Sequence, residues 1–138
     1  MQQNIRFTAQ DHQRLSRLVI DLGRYAPAAL SGAEMLAELL DTGRVLPPQD
    51  IPDNVVTMNS QVLYQDLETG ELREARVVYP EDADPAAGRI SVLSPVGASL
   101  LGLAAGDETV LPLPHGRSAC IRICKVVWQP EAQGEFAL

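Results

Sequence analysis

Three prolines within six residues, Pro47, Pro48 and Pro52, divide the sequence into two stretches of different character. Proline fixes φ and lacks a backbone donor, so this segment cannot continue a helix or the interior of a sheet and is expected to be an extended, fairly stiff connection. Before it, apolar residues recur with a helical period, and after it, β-branched runs alternate with turn residues. The sequence therefore predicts an α+β protein with helices at 1–44, a proline-rich linker at 45–54 and a sheet domain at 55–138.

The stretch before the linker predicts two short helices that form an antiparallel hairpin. Thr8 is suited to cap the first helix, and Asp11 lies in its first turn, where a negative charge is favourable. A second helix is expected from position 28 or 31 to Leu40, because Asp-Thr-Gly at 41–43 favours a helix end. The core expected across the two helices is the apolar stripe Leu15, Leu18, Leu22, Leu36 and Leu40.

The stretch after the linker predicts a sheet that packs on one helix. Ser94 followed by Pro95 is typical of a helix start, because serine caps the helix and proline suits its first position. This helix is expected to continue to Leu103. The expected strands are 55–58, 62–67, 73–79, 89–93, 108–113 and 119–129.

Two features could suggest a bound ligand, but their spacing argues against both. Cys120 and Cys124 would lie about 13 Å apart on an extended strand, too far to form a disulfide or to share one zinc ion. We expect both to be small core residues. Gly97, Gly102 and Gly106 lack the spacing of a phosphate-binding loop and are expected at turns and packing contacts. The sequence therefore predicts no metal site and no cofactor.

The net charge of −7 comes entirely from the second stretch, because residues 1–44 carry equal numbers of acidic and basic side chains. This balance disfavours a protein whose main task is to hold nucleic-acid phosphates. Two interpretations remain open: a solvated acidic surface, or an acidic body steered towards a basic partner. No apolar run is long enough for a membrane helix, and the start lacks a signal peptide, so a cytoplasmic location is expected.

Several segments together resemble a known family. These are Val-Val-Thr-Met-Asn-Ser at 55–60, Val-Tyr-Pro at 78–80, the long run at 90–107 and the end of the last strand at 128–132. The run at 90–107 contains Ser-Pro-x-Gly-x-x-Leu-Leu-Gly-x-x-x-Gly-Asp, whose glycines and proline make it specific. The chain resembles the Gre-type transcription elongation factors of bacteria over nearly its whole length. It is most similar to a smaller branch of that family, named for an effect on nucleoside diphosphate kinase.

The resemblance implies an N-terminal coiled coil followed by an FKBP-like domain. It also implies binding to RNA polymerase at the secondary channel, through a loop that opens the helix of the second domain. The matching positions here are Ser94, Pro95 and Gly97, and Leu93 stands where cleavage factors carry an acidic residue. DNA and RNA would be near only within the elongation complex, and neither a membrane nor a small-molecule substrate is expected.

The same resemblance raises the question of transcript cleavage. Gre factors place acidic side chains at the tip of a long coiled coil, where they help to bind Mg²⁺ in the polymerase. The predicted tip at 23–31 contains no Asp or Glu, so we expect a regulator without cleavage activity that is not itself an enzyme. Two alternatives remain: a direct partner of nucleoside diphosphate kinase, and a prolyl isomerase, for which six aromatic residues are few.

Overall fold

The computed structural model describes residues 5–25, 31–112 and 116–134, without the side chains of 22–25, 31–35, 95 and 112. The α+β class predicted from the sequence is confirmed. The helices and strands follow in the order β1 (Arg6–Thr8), α1 (Ala9–Tyr25), α2 (Ser31–Thr42), β2 (Arg44–Leu46), β3 (Gln61–Asp66), β4 (Leu72–Val78), β5 (Arg89–Ser91), α3 (Pro95–Leu100), β6 (Glu108–Pro112) and β7 (Ser118–Trp128). Short 3-10 turns lie at Pro48–Asp50, Pro80–Asp82, Pro85–Ala87 and Glu131–Gln133.

The main sheet has five strands in the order β5-β4-β3-β7-β6. Every neighbouring pair is antiparallel except β4 and β5, which run parallel. In the described structure, three strands of this sheet precede α3, not the four that the sequence predicted. α3 lies against β4, β5 and β6, so it covers the inner face of the sheet.

A second, two-stranded sheet was not predicted. β1 and β2 pair in parallel, with Phe7 opposite Val45, and they flank the two helices at their open end. The backbone N–H of Arg6 also donates to the carbonyl of Gly102, at 3.1 Å. The base of the helical hairpin is thus joined to the segment that follows α3.

The apolar core runs without interruption from the helices into the sheet domain. Leu15 and Leu36 are fully buried, Leu40 is nearly so, and Leu18 is half-buried at the edge. They belong to one cluster with the inner-face residues Val62, Ala75, Val77, Ile121 and Ile123 and with Leu100, Leu101 and Leu103 around α3. Leu22 lies in α1, but its side chain is outside the described part of the structure. The leucine stripe therefore packs on the sheet domain as well as between the helices.

Two expectations about the middle of the chain were wrong. Residues 55–58 do not form a strand, because only Val55 makes a β-bridge, to Ala104, and a tight turn follows directly. The linker is not extended throughout, because a 3-10 turn at Pro48–Asp50 follows the end of β2 at Leu46. The linker is also attached to the body, since the buried Gln129 amide donates to the carbonyls of Pro52 and Val55, both at 2.8 Å. The division of the chain into 1–44, 45–54 and 55–138 stays a prediction.

The two cysteines were expected in the core, and that was wrong as well. Both lie on β7, but Cys120 and Cys124 are exposed. The strand alternates, and its inward positions are taken by Ala119, Ile121 and Ile123. β7 therefore has an open outer face.

Candidate functional site

The predicted docking loop is a tightly bonded connection between β5 and α3. The carbonyl of Ser91 accepts from the backbone N–H of Ser94 at 3.0 Å and from its hydroxyl at 2.7 Å. The Ser94 oxygen in turn accepts from the N–H of Gly97 at 3.1 Å, which makes Ser94 the N-cap of α3. The Ser91 hydroxyl accepts from Leu93 N–H at 3.1 Å. These four bonds span three residues or fewer, and the N–H of the buried Val92 donates to the carbonyl of Val78 on β4 at 2.9 Å, so the loop is shaped by its own sequence and joined to the sheet.

Gly97 is buried on the inner side of this loop. A Cβ atom at this position would overlap the carbonyl oxygen of Ser91 and press on the backbone of Val92. Only glycine lets α3 approach the end of β5 this closely. Gly97 therefore shapes the loop from within, and the positions before it form the surface.

The accessible part of the loop is uncharged. Leu93, Ser94 and Val96 are each half-buried, and no charged residue occurs between positions 91 and 97. α3 begins at Pro95, whose side chain is outside the described part of the structure. A partner at this surface would be recognised by its shape, by apolar contact and by hydrogen bonding, because no charge is available.

Two of the segments that carry the family resemblance, 55–60 and 90–107, lie against each other. The N–H of Val56 donates to the carbonyl of Leu103 at 2.8 Å, and the N–H of Gly102 donates back to Val56 at 2.8 Å. Gly102 has φ +84°, a left-handed conformation that favours glycine. A Cβ atom at Gly102 would also press on the backbone of Arg6, so this glycine lets β1 and Val56 approach the end of α3 together.

A buried carboxyl group connects α1 to the turn at 57–60. The N–H of Asp11 donates to the Thr8 hydroxyl at 3.0 Å, which confirms Thr8 as the helix cap. The Asp11 carboxylate accepts from the N–H of Met58 at 3.1 Å, across 47 positions of sequence. Burial raises the pKa of this carboxyl to about 7, and the hydrogen bond from Met58 opposes the shift. Asp11 thus holds α1 on the sheet domain as well as starting the helix.

The turn itself is attached to the C-terminal end of the described chain. The Thr57 hydroxyl donates to Glu131 Oε1 at 2.6 Å and lies 2.8 Å from the Ser60 hydroxyl. Asn59 occupies the left-handed region with φ 69°, which the tight turn requires. The negative charge of Glu131 adds to the upward shift of the Asp11 pKa. The sequence pattern did not indicate this network, because its members are far apart in the chain.

A groove of about 390 Å³ lies beside this network. Burial raises the pKa of Tyr79 to about 12; the charge of Asp11 adds to the shift, and Arg14 opposes it. The groove is lined by residues of α1 and of the turn after β4, namely Arg14, Arg17, Leu18, Asp21, Tyr79 and Glu81. It bears charges of both signs and no nucleophile next to a base, so it lacks the features of an active site.

Within residues 5–25, 31–112 and 116–134, no three His, Cys, Asp or Glu side chains are grouped closely enough to hold a metal ion. Asp82 and Asp84 are both exposed in the loop between β4 and β5. No helix in the same ranges is long and apolar enough to cross a membrane.

Residues 51–127 match the family described as transcription elongation factor GreA/GreB, C-terminal domain, and the chain belongs to this family. The matched range includes the turn at 57–60, the loop at 91–97 and most of β7. The family expectation drawn from the sequence is therefore confirmed.

Individual relatives support the same assignment. The chain is 38% identical to the regulator of nucleoside diphosphate kinase of Escherichia coli over 122 residues, which is 88% of this chain and 90% of that protein. It is 36% identical to transcription elongation factor GreA of Desulfovibrio desulfuricans over 74 residues, 54% of this chain but only 46% of that protein. The solved structure of a prokaryotic transcription elongation factor GreA/GreB from Nitrosomonas europaea superposes with a TM-score of 0.74 and 36% identity, covering 92% of this chain and 100% of the other.

Proposed function

We propose that this protein is a regulator of transcription elongation that binds RNA polymerase at the secondary channel. The loop from Ser91 to Gly97 would dock on the polymerase, with Ser94 and Pro95 at the contact and Gly97 behind them. The observation that carries the proposal is the Ser94 cap, which fixes an uncharged loop within a segment that matches the GreA/GreB family. A rigid loop loses little conformational entropy on binding, which favours a specific contact.

We further propose that the protein does not stimulate transcript cleavage and is not an enzyme. Magnesium prefers carboxylate oxygens, and positions 23–31 contain no Asp or Glu. Residues 26–30 of this tip lie outside the described residues. α1 has 17 residues and spans about 25 Å, a short reach for a coiled coil that enters a channel. The protein would therefore occupy the channel entrance and compete with cleavage factors.

Two other functions are weaker candidates. One relative is named regulator of nucleoside diphosphate kinase, so direct binding to that kinase is an alternative to an effect through transcription. Prolyl isomerase activity would follow only from an FKBP-like fold, and a fold does not carry a function. Its apolar pocket would need several aromatic rings, yet Phe7 and Tyr64 are buried in the core and Arg76 lies over Trp128.

A binding titration with purified core RNA polymerase tests the proposal. Wild-type protein should bind, and Pro95→Ala should bind about tenfold more weakly, while its circular dichroism spectrum stays unchanged because alanine is tolerated at the first helical position. Pro85→Ala is the matched control, since Pro85 also begins a short turn but lies in an exposed loop elsewhere. Unchanged affinity of folded Pro95→Ala would remove the loop from the interface. Binding to nucleoside diphosphate kinase and not to polymerase would favour the alternative.

A further inference from the structure

The strand β6 (Glu108–Pro112) lies at one edge of the five-stranded sheet, and β7 pairs with one side of it. The carbonyl of Asp107 accepts from the N–H of Ile123 on β7 at 2.9 Å. Because backbone groups alternate along a strand, those of Glu108 and Val110 point away from β7. Among the described residues, no backbone group hydrogen-bonds to this outer side. An unpaired strand edge of this kind is a template for another strand.

The centre of this edge is apolar. Val110 is 55% exposed, although valine is more often buried. It lies opposite Cys120 of β7, which is also exposed. The half-buried Leu67 follows in the same direction, since its N–H donates to the carbonyl of Cys120 at 2.9 Å. A partner strand that brings an apolar side chain to Val110 would cover this surface.

The two ends of β6 limit the length and register of an added strand. Gly106, with φ +95°, precedes the strand, and Pro112 at its end has no backbone N–H. A second copy of β6 fits between these ends when it runs antiparallel with Val110 opposite Val110. Each Val110 N–H would then donate to the other Val110 carbonyl, and each Glu108 N–H to the other Pro112 carbonyl. The missing N–H of Pro112 affects only the end of this ladder.

The charges around β6 suit the same arrangement. Asp107 and Glu108 lie at its start, whereas Arg117 precedes β7 next to its end. Antiparallel pairing brings the acidic start of each copy beside the basic end of the other. Glu108 also forms an ion pair with Arg122 at 2.9 Å, so these four charges cancel within each copy. The acidic turn between β3 and β4 lies beyond β7, away from this edge.

We propose that β6 pairs with β6 of a second copy of this chain, which joins the two sheets about a two-fold axis at Val110. Such an interface uses the same surface of both copies. The proposed docking loop follows β5, at the opposite edge of the sheet, so this inference goes beyond the proposed function and does not rest on it. β6 has 5 residues, fewer than the roughly 20–30 on each side of a standard interface, so the dimer should be weak.

Sedimentation equilibrium at about 0.15 M salt, which screens the repulsion between two chains of net charge −7, tests the inference. Wild type should dimerise with a dissociation constant of about 0.1 mM. Val110→Glu should weaken the dimer at least about tenfold, because two carboxylates would lie directly opposite each other. Leu72→Glu is the matched control, since Leu72 is 57% exposed on β4, and β3 and β7 separate it from β6. Its dissociation constant should stay within about twofold of wild type.

Cross-linking of the two exposed cysteines tests the register. With Val110 opposite Val110, the two Cys120 residues would lie three strand spacings apart, about 14 Å, whereas the two Cys124 residues would lie about 30 Å apart. A bismaleimide that spans only the shorter distance should link two chains of Cys124→Ser but not two chains of Cys120→Ser.

Three results would overturn the inference. The first is wild-type protein that stays monomeric up to about 1 mM. The second is a dimer that Val110→Glu leaves intact, or that Leu72→Glu weakens as much, because the two copies would then meet through another surface. The third is a cross-link that needs Cys124 and not Cys120. Since none of these measurements includes polymerase, they leave the proposed function to its own test.

Discussion

The proposed docking loop and the N-terminal helices are attached to the same sheet domain in different ways. The side-chain bonds of the loop join Ser91, Leu93, Ser94 and Gly97, all close in sequence, and one backbone bond, from Val92 to Val78, joins the loop to β4. α1 is fixed by a long-range bond from Met58 to the Asp11 carboxylate and by leucines that enter the common core. His12 adds a further long-range contact, 2.9 Å from its Nε2 to the Leu40 carbonyl.

This difference makes the shape of the loop less sensitive to mutation and pH than the attachment of the helices. Local bonds persist as long as the segment itself is folded, so the loop keeps its shape wherever the helices lie. Long-range contacts depend on packing and on the ionisation of a buried group, so the attachment of the helices responds to mutation and to pH. In the proposed complex, the loop would define where the protein docks, and the helices would define what reaches the channel.

The largest effect is expected from the charge of Asp11. Its carboxyl has a pKa of about 7 in the folded protein and 3.8 as its ordinary value, so the folded state holds a proton that the unfolded state has lost. Protonated Asp11 stabilises the folded state fully below pH 3.8. This contribution to the free energy of unfolding is lost as the pH rises to 7, by about 4 kcal/mol in total. Asp11→Asn keeps an oxygen for Met58 N–H without the charge.

Denaturant unfolding of wild type and Asp11→Asn between pH 4 and pH 8 measures this effect. The variant should match wild type near pH 4 and exceed it increasingly towards pH 8. Because both proteins contain the same other carboxyl groups, the difference between their free energies of unfolding reports the titration of Asp11. If the free energies of unfolding of the two proteins change with pH in parallel, the ionisation of Asp11 does not destabilise the folded state, and the prediction is wrong.

A smaller effect is expected from the leucine stripe. Leu15 is fully buried, so Leu15→Ala should lower the free energy of unfolding by about 3 kcal/mol, whereas Leu18→Ala at the half-buried edge should cost about 1 kcal/mol. Both variants lie on the same helix with the same change in helix propensity. Equal losses at the two positions would mean that α1 does not pack on the sheet domain through the Leu15 side.

The smallest effect on stability is expected within the loop. Gly97→Ala should destabilise the protein by about 2 kcal/mol, because the new methyl group overlaps the Ser91 carbonyl and separates α3 from β5. Gly106→Ala is the control: no atom lies within 4 Å of its Cβ position, so only its φ of +95° opposes alanine, at about 1 kcal/mol. A milder effect at Gly97 than at Gly106 would contradict the close approach.

Features built from neighbouring residues could be predicted from the sequence. The cap at Thr8, the start of α3 at Ser94-Pro95 and the strand at Ser118–Trp128 all follow from local chemistry, and the structure has each of them. Features built from distant residues could not. The parallel pair of β1 and β2, the bond from Met58 to Asp11 and the attachment of Thr57 to Glu131 depend on the folded chain.

The sequence also could not predict which side chains of the sheet face the core. In the β-branched run at 119–128, either set of alternate residues could face the core. The structure places Ile121 and Ile123 inward, which turns Cys120 and Cys124 outward together with Arg122.

RNA release from a backtracked elongation complex tests the central claim most directly, namely that the protein docks at the secondary channel without supplying catalytic carboxylates. The complex is mixed with Mg²⁺ and with saturating protein, at a concentration set by the polymerase titration, and short 3′ RNA fragments are measured over time. The account predicts the polymerase's own rate of release, and a slower GreA-stimulated rate when this protein is added first. Release faster than the polymerase's own rate would contradict the account.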